Sequence, residues 1–266
     1  MSIPSSVMHK RKKFAADLKK LVDILYKYFP TADISSFESA ITELKNKDFV
    51  PRIPNKGSSA NSWGYSLGRL IFKFHSVPRH TLPENCKDLK LILDLKVFGD
   101  CERLDTMDDP FEWLEFNIVI EGTKFVEKDT IQLLTSYHLD RHIIKEGDGE
   151  SEFPHPIYHF QFGGRKLKQN SGSIDTGELL IFDSPRIMHY PMEAILGIDF
   201  TLSNFFPDIW KKIKLESNEY INLLEEYQIK FLKPYVQTHA SYWEYNRESI
   251  DRNKFWDPNV ICPQLS

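Results

Sequence analysis

The sequence predicts an α+β fold: a central antiparallel meander sheet of five to six strands, with an N-terminal helical hairpin and C-terminal helices. Three observations predict it. Apolar residues recur at three- and four-residue spacing towards both ends of the chain and at two-residue spacing across its middle. The middle segments are separated by Pro-, Gly- and Asp-rich turns, with none of the helical crossovers that parallel strands require. Hydrophobic residues form 41% of the 266 and aromatics 13%, ample to bury a core.

The elements follow in order. Residues 8–46 read as two helices. In the first, Phe14, Leu18, Leu21, Val22, Leu25 and Phe29 share a face, and Pro30 stops it. The second starts near residue 35, where Ser35 and Glu38 have capping-box spacing and Phe37, Ile41 and Leu44 line one side. A Pro-, Gly- and Ser-rich loop (49–62) precedes the sheet, expected over 63–183. Its strands are WGYSLGRLIFKFHSV, LKLILDLKVFG, WLEFNIVIEG, TIQLLTSYHLDRHI, IYHFQFGG and GELLIFDS. Helices return over 191–247. Pro191 suits the first turn of one helix and Pro207 that of the next; Ser217 is placed to cap a third, and Pro234 to kink or end it. Residues 252–266, without a clear period, read as an extended arm. The segments need one another to cover their apolar faces, so one domain over 1–266 is expected. The alternative boundary lies after about residue 213.

Composition excludes several classes. The net charge of −4 gives no global field directed at nucleic acid or membrane. Cys86, Cys101 and Cys262 form no CxxC pair, which argues against a disulfide framework or a cysteine-rich zinc site and favours a reducing, cytoplasmic setting. No 18-residue apolar window predicts a membrane span, and the basic N-terminus has no following apolar run that would make it a secretory signal. No nucleophile elbow, dinucleotide-binding glycine turn or kinase signature is present.

The histidines are concentrated: five of nine fall between residues 138 and 189. In YHLDRHI, an extended strand turns His138, Asp140 and His142 to one face, with neighbouring Cα atoms about 6.6 Å apart. In PHPIYHFQF, His155 and His159 share a face that Gln161 continues. If these two strands pair as a hairpin, the two sets meet and collect up to four imidazoles. Imidazoles with a carboxylate are the raw material of a divalent-metal site such as zinc, or of an acid/base pair. The candidate metal ligands are His138, Asp140, His142 and His159. The bland reading is a half-exposed sheet face of ordinary polar residues, with Arg141 on the opposite face.

Weaker signals lie elsewhere. Gly163 and Gly164, followed by Arg165, Lys166 and Lys168, form either a phosphate-binding nest or a plain hairpin loop with gatekeeper lysines. In SPRIMHYPME, Arg186 and His189 precede a helix N-terminus, a natural anion site, although Glu193 already supplies negative charge there. The basic start of the first helix could touch nucleic acid, but lacks aromatic residues for base stacking. Tyr242, Trp243, Tyr245, Phe255 and Trp256 crowd the C-terminus, either as anchors for a protein partner or self-association, or as caps on the core.

Two functional classes follow. The first is a binding or assembly protein that docks through its helical and aromatic-rich ends. The second is a histidine-based hydrolase, with or without a metal, acting on a phosphodiester or other polar substrate. Its residues would be His138, Asp140, His142, His155, His159 and His189, with Asp140 as ligand or orienter and Arg186 as an electrophilic clamp. Same-strand alignment alone does not establish a convergent site, so the sequence favours the first class.

Overall fold

The computed structural model describes residues 2–54, 56–106, 108–141, 156–163, 167, 186–244, 256 and 261, with backbone alone at 242–244. It is an α+β structure as the periodicity predicts. Helices α1 (Ser5–Tyr28) and α2 (Ser36–Lys45) lead into a two-stranded ribbon, β1 (Arg52–Ile53) with β2 (Gly57–Ser58). The main sheet follows: β3 (Ser62–Lys73), β4 (Lys87–Asp100), β5 (Phe111–Val126), β6 (Asp129–Arg141), β7 (Tyr158–Phe162) and β8 (Ile187–Met188). These pair in sequence order, all antiparallel. Then come α3 (Ala194–Phe205), α4 (Pro207–Glu216), α5 (Asn218–Tyr227), a π-helical turn (Gln228–Leu232) and α6 (Lys233–Glu244).

The described helices pack on one sheet face. Leu91, Leu93, Leu95 and Val97 of β4 are buried there by the two-residue period, beside Phe116 and Ile118 of β5. Trp63 stacks on Phe14 of α1 at 4.5 Å between ring centroids. Gly197 lets α3 approach the sheet closely, because a Cβ there would stand 2.6 Å from the Phe116 ring. One hydrophobic cluster runs from Val7 through helices and sheet to Trp256 and Ile261.

Several local expectations change. Ser35 makes no side-chain cap, since its hydroxyl donates to Asp33 Oδ1 at 2.8 Å instead. Pro191 lies ahead of α3. Glu193 is its N-cap, accepting from the Ile195 and Leu196 amides at 2.9 Å each. The sixth strand of the sheet is Ile187–Met188, and the segment GELLIFDS lies outside the described residues. Pro234 falls in the first turn of α6, where its missing N–H is tolerated, and the helix is disturbed just before it at the π turn. Pro207 and Ser217 begin their helices as expected; the Ser217 hydroxyl accepts from the Tyr220 amide at 3.2 Å.

Candidate metal centre

Strands β6 and β7 form the hairpin on which the histidine reading depended. Their register pairs Asp140 with His159 and His138 with Gln161. Directly opposed residues point to the same face, so His138, Asp140, His159 and Gln161 all leave the sheet on the side away from α3. Leu139 and Phe160, the alternating pair, face the core. The ligand atoms of His138, Asp140 and His159 lie within 4.8 Å of one another. His159 is 4% exposed, whereas the Asp140 side chain is 40% exposed, so the cluster is anchored on one side and open on the other.

The tautomer of His159 is constrained. Its Nδ1 lies 3.3 Å from the Pro156 carbonyl oxygen, which can only accept, so Nδ1 donates. Its Nε2 then faces Asp140 Oδ1 at 2.8 Å. Two states satisfy that contact: an imidazolium paired with the carboxylate, or a neutral imidazole whose lone pair shares a cation with it. The separation is that of a charge-assisted hydrogen bond, about 2.7–2.9 Å. Ligand atoms about 2.0–2.1 Å from a tetrahedral zinc stand about 3.3–3.4 Å apart, so a shared ion would need the pair to part by about 0.5 Å. The Pro156 carbonyl orients the His159 ring, as an outer partner would orient a ligating imidazole. The His138 ring meets the His159 ring edge-on, with centroids 6.2 Å apart.

Neighbouring strands add groups the sequence did not single out. Glu115 on β5 is directly opposite Asp140, and Asn117 is opposite His138. Like charges opposed across strands repel. Lys96 of β4, 3.7 Å from Glu115, offsets part of that repulsion, and a cation at the cluster would offset more. Their only sequence signal was the polar alternation in WLEFNIVIEG; the register supplies the rest.

The hairpin end is held from the other face. Arg141 is an ion-paired, half-buried residue there, its Nε donating to Asp109 Oδ2 at 3.0 Å. The Tyr158 hydroxyl donates to Asp109 Oδ1 at 2.7 Å. The neighbouring Asp109 holds the Arg141 guanidinium far above its usual range, against the opposing effect of burial. Asp140 precedes Arg141 and His159 follows Tyr158 by one position, so this network sets the strand ends that carry the cluster.

The remaining candidates separate. His189 does not join the cluster. It follows β8 on the core side, among Phe160, Tyr190 and Phe200, and its Nδ1 donates to the Tyr190 carbonyl at 2.9 Å. Burial pushes its pKa down, which keeps it neutral. Arg186 is half-buried immediately before β8. His142 and His155 lie outside the described residues, as do Gly164, Arg165, Lys166 and Lys168 of the second candidate. Cys101 is buried, and burial pushes its thiol up to about 12, away from the reactive thiolate.

Surface expectations shift as well. In the basic first helix, Arg11 is fully buried and donates to the carbonyls of Phe49 and Glu43 at 2.7 and 2.6 Å. Lys13 pairs with Asp17 at 2.8 Å, and Lys10 with Asp105, so much of that charge serves the fold. Of the aromatic C-terminus, Trp256 is 2% exposed and packs near Tyr158 and Tyr235, with centroids 6.3 Å from each. The side chains of Tyr242, Trp243, Tyr245 and Phe255 lie outside the described residues. Among the described residues no helix is long and apolar enough to cross a membrane. Family models, curated proteins and solved structures provide no significant match to this chain.

Proposed function

We propose that the protein binds a divalent transition metal at His138, Asp140 and His159 and uses it to hydrolyse a polar, phosphodiester-type substrate. The observation that carries this is the convergence of His138, Asp140 and His159, whose ligand atoms lie within 4.8 Å of one another. Two imidazoles and one carboxylate are a donor set suited to zinc or iron. Three protein ligands leave a coordination position for water, and a bound metal lowers the pKa of that water to about 7.

This chain's own groups have distinct tasks in the proposal. His138, Asp140 and His159 would hold the ion. Glu115, across the ladder from Asp140, accepts the proton as the water oxygen attacks phosphorus. Arg186 neutralises the phosphate oxygens while the ester P–O bond breaks and the leaving oxygen is protonated from solvent. The assembly reading has less support, since Trp256, one of its named anchors, is a core residue.

The test is hydrolysis of bis(4-nitrophenyl) phosphate by zinc- and manganese-loaded protein. A rate that rises through about pH 7, and falls at least about 100-fold in His159→Ala and in His138→Ala, is expected. No hydrolysis by loaded wild type, or equal rates in the variants, would exclude the reading.

A further inference from the structure

A cavity of about 580 Å³ opens on the helix-packed face of the sheet, beyond the end of α3. Its floor is formed by β5 and β6, through Ile120, Gly122, Leu133 and Tyr137. The loop containing Thr81, Leu82 and Pro83 makes one wall, and Asn204, Phe205 and Pro207 make another. It lies across the sheet from the histidine cluster: Tyr137 faces the core side, whereas His138 faces the other.

We propose that this cavity binds an uncharged, mainly apolar small molecule, held by its aromatic and aliphatic walls and oriented by a few neutral polar groups. No charged side chain contributes to the lining among the described residues. A charged ligand would therefore lose its hydration without a counter-ion, which is costly in an apolar setting. Thr81, Thr135 and Asn204 offer hydroxyl and amide groups, suited to a carbonyl, hydroxyl or ester on the ligand.

Size points to a small molecule. Sites for such ligands span about 300–1,000 Å³, and this cavity falls within that range. An α-helix is about 10–12 Å across with a 5.4 Å pitch, so a single turn already fills about 420–610 Å³. The cavity therefore holds about one helical turn, less than a docked helix needs for a continuous apolar face. A docked strand would need a sheet edge, and the floor here is a sheet face. The rim also exposes apolar surface that a ligand would cover, with Leu82 81% and Ile131 45% exposed.

The site is independent of any metal, so it is tested in EDTA. Nile red, an uncharged fluorescent probe, is titrated against wild type, Leu133→Trp and Leu215→Ser, and then displaced with decanol, decanoate or decylammonium. Leu133→Trp fills the floor. Leu215, an exposed residue of α4 remote from the cavity lining, controls for adventitious surface binding. The expected result is saturable one-to-one binding, weakened at least tenfold by Leu133→Trp and unchanged by Leu215→Ser, with decanol the best competitor. If Leu133→Trp does not fold, Thr135→Phe replaces it with the same expectation. Unsaturable binding, equal affinity in the filled variant, or displacement by the charged competitors as readily as by decanol would overturn the proposal.

Discussion

At Glu193 a fully buried carboxyl group caps α3, and its surroundings pull in opposite directions. Burial pushes its pKa from 4.5 up to about 7, while the amides of Ile195 and Leu196 and the Tyr65 hydroxyl, all donors, hold it down. An acid whose pKa is raised on folding contributes stability that is fully present below its unfolded value and lost as pH rises through its folded one. Between pH 4.5 and 7 that loss is about 3 kcal/mol, at about 1.4 kcal/mol per unit. Glu193→Gln keeps an acceptor for the amides and removes the titration. Urea midpoints measured from pH 4.5 to 8 should fall with pH in wild type more steeply than in the variant. Parallel curves would show that Glu193 is ionised at little cost.

At the same scale, Arg141 shows what a local period leaves out. The two-residue period correctly put it on the face opposite Asp140, but named no partner for it there. The sequence carried no signal that Asp109, 32 residues earlier, would meet it. Removing one partner of a buried pair costs about 3–5 kcal/mol, because the other charge is left uncompensated. Arg141→Met should therefore lower the melting temperature and also weaken metal uptake, since the strand end carrying Asp140 loses its anchor. A variant as stable as wild type would mean that the ion pair is dispensable.

Among the elements, α3 shows the limit of propensity. Alanine for glycine inside a helix gains about 1 kcal/mol in isolation. At Gly197 the added Cβ would meet Phe116 Cε2 at 2.6 Å, and overpacking of this kind costs about 1–3 kcal/mol. The steric cost should dominate, so Gly197→Ala is expected to destabilise by about 1 kcal/mol in chemical denaturation, with Phe116→Leu restoring most of the loss. A stabilised Gly197→Ala would show that α3 can move off the sheet. The start of α3 was misjudged for a related reason. Pro191 is compatible with a first turn, but a long acidic side chain two residues later can satisfy two amides at once, and that cap fixed the boundary.

Across the whole molecule, the order of helices, sheet and helices was legible because periodicity is local. So was the shared face of His138 and Asp140. Which residues oppose them was not, since cross-strand pairing depends on register. The pairing of Asp140 with His159 had been a condition rather than a conclusion, and Glu115 and Asn117 became neighbours of the cluster only through β5. His189 was close to the cluster in sequence, yet the same alternation that gathers His138 and His159 turns it into the core.

The central claim is that His138, Asp140 and His159 hold one metal ion, and equilibrium dialysis against zinc tests it most directly. Metal content is read by mass spectrometry for wild type, His159→Ala and Asp140→Ala, alongside melting temperature. Wild type should retain one zinc per chain and melt higher when loaded, because a ligand at 100 times its Kd adds about 2.7 kcal/mol to the folded state. Both variants should lose the metal and the thermal gain. A wild type that takes up no zinc, or variants that retain the ion as tightly as wild type, would contradict the account and leave the contact between His159 and Asp140 as a simple ion pair.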